Sequence, residues 1–320
     1  MSKDIKFILY LAVTLIGPVC FFYFSKNEPT FANWAYDAQL NHYEQALALS
    51  HDPDVIFIGS SRTMNNINTH KLNEWFKEDG MNTQCYNLGI NWFGHDIQAH
   101  HMERWLQHKK PQVIVLEVPM LFRFYLHPHF KRLASSKEIA YLSLNTPWKA
   151  PHIMAYYSPR MLYQFMATKF NFPKQDSLFD RQNLAGFTAV EMNEEQLKKS
   201  YDIAHRKIKK GLTKIPQSSA YKNTYYKTAY RPHQVFLKRM ISLCKEKDIK
   251  LIQLIYPKIA LNEAHPLLKS DYESHGELWI PPEELIQKAE YWRDASHLNQ
   301  TGAEVLSKWV YQQFRDKKVL

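Results

Sequence analysis

Residues 54–59 read DVIFIG and run straight into Ser60-Ser61-Arg62, with Asp52-Pro53 just before. A short apolar run between a proline and a glycine predicts a strand buried on both faces. The same signature recurs outward from it. Residues 113–118 read VIVLEV and stop at Pro119, and residues 249–256 read IKLIQLIY and stop at Pro257. TQCYNL, residues 83–88, predicts a further strand, closed by Gly89. Helical periodicity marks 30–50, 69–78, 95–108, a charged stretch at 193–210, and 301–314. Strands alternating with helices predict an α/β fold: a three-layer sandwich around a mostly parallel sheet. In such sheets chemistry collects at the carboxyl ends of the strands.

The chain has 320 residues, enough to bury a large core without disulfides or metal. It carries a formal charge of +10, with 41 Lys and Arg against 31 Asp and Glu. That surplus is spread along the chain with no recognisable nucleic-acid module, so a nucleic-acid partner is not expected. It would suit an anionic surface or polymer. Three cysteines give no disulfide framework and no structural zinc spacing. Cys85 and Cys244 read as buried free thiols, or less readily as a pair. Neither the histidine pairs nor any glycine-rich run calls for a metal or cofactor.

Two regions break the strand–helix rhythm. Residues 7–24, FILYLAVTLIGPVCFFYF, carry no charge, and eighteen helical residues would span roughly 27 Å of bilayer. No small-x-small cleavage site follows, so the expectation is an uncleaved transmembrane anchor over 1–26. Residues 27–320 would then form a domain on the outer side of the membrane. Residues 120–232 are long, basic and aromatic. They predict a helical insertion that packs on the core, or acts as a cap over a site, or both.

Three loops carry the functional argument. Gly59-Ser60-Ser61-Arg62 places a serine at a strand-to-helix junction, where backbone N–H groups can face a developing oxyanion. Asn87-Leu88-Gly89-Ile90-Asn91 follows the next strand and lets backbone approach a substrate. Asp294-Ala295-Ser296-His297 precedes the last helix, and a carboxylate three residues from an imidazole can fix its tautomer while the imidazole deprotonates a serine. Arg62 would bind an anionic part of a substrate or form a structural ion pair. Glu117, at a strand end, would orient Arg62 or a substrate hydroxyl, or serve structure alone.

In combination and order, these motifs resemble the SGNH (GDSL-type) hydrolase superfamily, and in particular its membrane-anchored branch of cell-envelope acyl-transfer proteins, such as the D-alanylation and alginate O-acetylation proteins. The resemblance covers roughly residues 52–119 and 247–315 and implies an SGNH/flavodoxin-like sheet. It implies Ser61 as nucleophile, Asp294 and His297 as its partners, and Gly89 as an oxyanion donor, with Ser60, Arg62 and Asn91 lining the substrate site. The family's Gly-x-Asn-Asp block is missing, because Leu116-Glu117-Val118-Pro119 stands there; either Asn91, Asn65 or backbone groups supply that donor, or the oxyanion hole is weaker. The implied activity is serine-dependent acyl transfer, as O-acyltransferase or esterase, on a cell-envelope polysaccharide or polymer. The implied partners are the membrane, an envelope glycan or anionic polymer, and a multi-span membrane O-acyltransferase. The implied location is the bacterial inner membrane, with the domain on its periplasmic or extracellular side. A different class also fits: a catalytically weak, membrane-tethered binding or scaffold subunit whose insertion grips the partner.

Overall fold

The computed structural model describes residues 52–120, 127, 138, 192–209, 231–259, 266–285 and 288–320. In chain order they form β1 (Val55–Ile58), α1 (Ser61–Asn66), α2 (Thr69–Glu78), β2 (Cys85–Asn87), α3 (His95–Leu106), β3 (Val113–Val118), α4 (Glu194–Lys209), α5 (Arg231–Glu246), β4 (Lys250–Ile255), α6 (Pro266–His275), β5 (Glu277–Trp279) and α7 (Gln300–Asp316). Among the described residues the sheet has five strands in the order β2-β1-β3-β4-β5. All four pairings are parallel.

The uninterrupted apolar runs follow from burial on both faces. Ile56, Ile58, Ile114 and Leu116 point into a core shared with Met102 and Trp105 of α3 and Phe236, Leu237 and Met240 of α5. Their neighbours Val55, Phe57, Val113 and Val115 point the other way, onto Leu72 and Phe76 of α2 and Leu306, Val310 and Phe314 of α7. A period of two therefore serves two cores at once, which is the three-layer arrangement. From β1 the chain places β2 on one side and β3, β4 and β5 in turn on the other. That makes the boundary between β1 and β3 the place where strand order reverses, where α/β sheets open a crevice at their carboxyl edge.

The expected N-terminal transmembrane helix is corrected here. Among the described residues no helix is long and apolar enough to cross a membrane, and residues 7–24 lie outside the described residues. The single-pass architecture, the membrane as partner and the periplasmic or extracellular placement all rested on that helix and are withdrawn with it. The expected helix over 30–50, and Cys20, also lie outside the described residues. So does most of the 120–232 insertion, whose charged stretch does form α4.

Candidate active site

The turn after β1 is built around a buried carboxylate. Ser60 caps α1, its hydroxyl accepting from the Arg62 N–H at 3.2 Å. Ser61 is thus the first helical residue, and its N–H has no acceptor within the helix. Glu117, at the end of β3 and fully buried, clasps this turn from the neighbouring strand. It accepts from the Ser60 N–H at 2.6 Å, the Ser60 hydroxyl at 2.9 Å and the Thr63 hydroxyl at 2.8 Å. The Arg62 guanidinium lies 2.5 Å from it. Burial, with the Glu117 charge added, pushes the nearby Tyr256 phenol well above its ordinary range. A side chain at Gly59 would collide with Thr63 Oγ1 and Glu117, so the clasp itself demands glycine there.

The second loop holds itself. Trp292 and Leu298 form an antiparallel bridge, and the Arg293 N–H donates to the His297 carbonyl at 3.0 Å. Inside this small hairpin, Asp294 Oδ1 accepts from the Ser296 N–H at 2.8 Å and the His297 N–H at 3.0 Å. Its Oδ2 lies 2.9 Å from His297 Nδ1. Partial burial raises the Asp294 carboxyl, but the bonds from His297 and Ser296 outweigh it and hold the group well below the usual carboxylate range. A carboxylate only accepts, so Nδ1 carries the imidazole proton and Nε2 is left bare. Ser61 Oγ lies 2.8 Å from that Nε2, across 236 residues of sequence. The serine proton can pass to the ring, and the ring is already oriented to receive it.

Helix packing sets this meeting. Asn66, buried at the end of α1, accepts from the Leu298 N–H at 3.0 Å. Asn299 caps α7, accepting from the Gly302 N–H at 3.0 Å. The Ser307 hydroxyl of α7 accepts from the Asn68 N–H at 2.8 Å. The helix bearing Ser61 and the loop bearing His297 are thus tied to one another at several points.

Ser61 and His297 open onto a cleft of about 390 Å3, lined also by Ser60, Arg62, Asn91, Trp92, Phe93, Pro119, Met120, Lys258 and Ser296. Arg62 takes the structural option, ion-paired with Glu117 and buried. Gly89 does not line this cleft. Its N–H donates to Asn87 Oδ1 at 3.0 Å, and a side chain there would strike the backbone of Ser60 and Met64, so its smallness lets α1 sit against the β2 loop. Asn65 spends its amide on the Ser61 carbonyl at 2.7 Å. Asn91 does reach the cleft. Its carbonyl accepts from His127 Nε2 at 2.7 Å, and the His127 N–H donates to Asp96 Oδ2 at 2.8 Å. Burial pushes the Asp96 carboxyl up to about 7. Cys85 and Cys244 are free buried thiols, raised by burial, the second to about 12.

Sequence reasoning missed Asn66, Trp92, and the His127–Asp96 support beneath Asn91. Only Asn66 has a nearby signal, as a polar residue buried at the end of a short helix. The others depend on contacts between loops.

No protein-family model matches the chain, and no curated protein matches it. Among solved structures it is similar to a provisionally assigned acylhydrolase from Bacteroides fragilis, with 15% identity and a TM-score of 0.38, over 89% of this chain and 100% of that one. At that identity and TM-score the likeness carries no argument about family or activity.

Proposed function

We propose that this chain is a serine-dependent acyl-transfer enzyme, an esterase or O-acyltransferase. The observation that carries the reading is the continuous relay from Asp294 through His297 to Ser61, at 2.9 and 2.8 Å, opening onto the cleft. Ser61 Oγ attacks the ester carbonyl as His297 Nε2 takes its proton. The tetrahedral oxyanion is met by the Ser61 N–H, and by the Asn91 side-chain amide in place of the missing asparagine block. The carbon–oxygen bond to the alcohol then breaks, and His297 returns the proton to the departing alkoxide. In the second half the hydroxyl of water, or of a sugar or polyol acceptor, loses its proton to His297 and attacks the acyl-serine. The bond to Ser61 Oγ breaks, and the serine regains its proton. Asp294 stays ionised throughout and stabilises the imidazolium.

The full chain, treated with a fluorophosphonate probe and read by intact mass and peptide mapping, is expected to carry one adduct, on Ser61. Ser61→Ala removes it, and His297→Ala slows labelling by about 10^3-fold or more. A folded protein that resists both this probe and a smaller organophosphate would refute the proposal.

A further inference from the structure

Trp92 differs from the other large apolar side chains of the cleft. It is 64% exposed, whereas Met120 is 2% exposed, and Pro119 is buried beside it. Its backbone has a φ of 66°, in the left-handed region that bulky residues avoid. The strain does not come from a slack loop. Just before Trp92, the Ile90 N–H donates to the Gly59 carbonyl at 3.1 Å, and His127 Nε2 donates to the Asn91 carbonyl at 2.7 Å. Just after it, the Phe93 ring packs against His95 with centroids 5.1 Å apart, and the Gly94 carbonyl accepts the first bond of α3. A chain held on both sides lifts the indole out over the same cleft that contains Ser61 and His297. Backbone strain that its surroundings enforce, next to a reactive group, points to use in function.

We infer that Trp92 is a stacking platform at the cleft mouth which recognises a six-membered ring, aryl or pyranosyl, on the alcohol side of the ester. It thereby sets which alcohols the site handles. An acyl chain gains most where water is already excluded, against Pro119 and Met120. A solvent-facing indole gains most by covering its flat face with another flat face whose polar edge stays wet. This inference rests on Ser61 being the nucleophile, so its test has a binding arm and a kinetic arm.

The binding arm uses full-length Ser61→Ala and saturation-transfer NMR with 4-methylphenol, methyl β-glucopyranoside and n-butanol. At least one ring compound is expected to give a signal that the added Trp92→Ala removes, while n-butanol gives none that depends on Trp92. Which ring binds separates aryl from pyranosyl. The kinetic arm compares phenyl acetate, an acetylated methyl glucopyranoside and butyl acetate. Trp92→Ala should raise KM for the recognised ring acetate by about 5- to 10-fold and leave butyl acetate within about 2-fold, with Trp92→Phe restoring most of the loss. Trp92→Gly should lose ring selectivity equally while its thermal midpoint rises by roughly 1–2 °C, because glycine relieves the left-handed backbone. Equal effects on ring and linear esters, or ring binding unchanged by Trp92→Ala, overturn the inference. If the chain hydrolyses no ester, the nucleophile reading fails, and the binding arm alone decides whether Trp92 holds a ring.

Discussion

The Ser60–Thr63 turn is clasped by a carboxylate 57 residues from Ser60 and fully buried, whereas the Asp294–His297 turn is closed by its own backbone and a carboxylate whose side chain is 48% exposed. Each turn presents one side chain of the proposed relay, Ser61 or His297, to the same cleft. The buried clasp gives rigidity through a charge that must keep its partner. The exposed turn gives orientation through short-range bonds that cost little to form. The carboxylate that clasps the first turn is therefore tied chiefly to stability, and the one inside the second chiefly to chemistry.

Asp294→Asn is the substitution that separates these roles most sharply. Hydrolysis or probe labelling should fall by about 10^4-fold, because an amide no longer enforces the Nδ1 proton. Unfolding free energy should move by less than about 1 kcal/mol, as for other solvent-screened pairs. Urea unfolding alongside labelling rates reads both numbers, and a large stability loss would erase the distinction. Glu117→Gln should do the reverse. It leaves the buried Arg62 guanidinium without its counter-charge and should cost about 3–5 kcal/mol in urea unfolding. Replacing Glu117 and Arg62 together by leucine and methionine should recover only part of that loss, because the Ser60 and Thr63 donors then lose their buried acceptor.

Asp96 sharpens the comparison, since it is a second buried carboxylate, with no cation like Arg62 beside it among the described residues. Its Oδ1 has no hydrogen-bond partner among the described residues, and burial raises its carboxyl to about 7. The folded chain therefore binds more protons than the unfolded chain between the ordinary carboxylate range and about 7. The stability Asp96 contributes is complete at the acid end of that window and is lost as pH rises through it. The loss should be roughly 2–4 kcal/mol, and Asp96→Asn should flatten it in thermal melts at stepped pH.

What could be read from sequence follows the range of the contacts. β3 was legible residue for residue because six apolar-flanked positions ending at a proline admit little else. β1 and the helix at 69–78 were nearly as clear. β5 was not, because its three residues become a strand only by pairing with Ile252–Leu254 of β4. In the site, the spacing of Asp294 and His297 was legible because their contact spans one turn. The clasp by Glu117 entered only as one option among several, since sheet register, not spacing, brings it to Ser60. Gly89 is also read through packing: a glycine at a strand end suggests a donor to substrate, and in the structure its smallness lets α1 approach. Nothing in the letters Asn-Trp-Phe announces a left-handed tryptophan.

β3 and β4 pair in register from Val113–Lys250 to Val118–Ile255, yet among the described residues the chain leaves the sheet at Val118 and next joins it at Lys250. It leaves beside Pro119 and Met120, at the rim of the cleft. Closing a longer connection is cheap in general, since each doubling of length adds about 0.6 kcal/mol. Ser61 precedes this excursion and His297 follows it, and sheet pairing brings them together regardless of its length. The length of chain between the serine and the histidine is thus a nearly free parameter of this fold: closure entropy weights it only logarithmically, while the register of β3 against β4 sets how far apart the two loops stand.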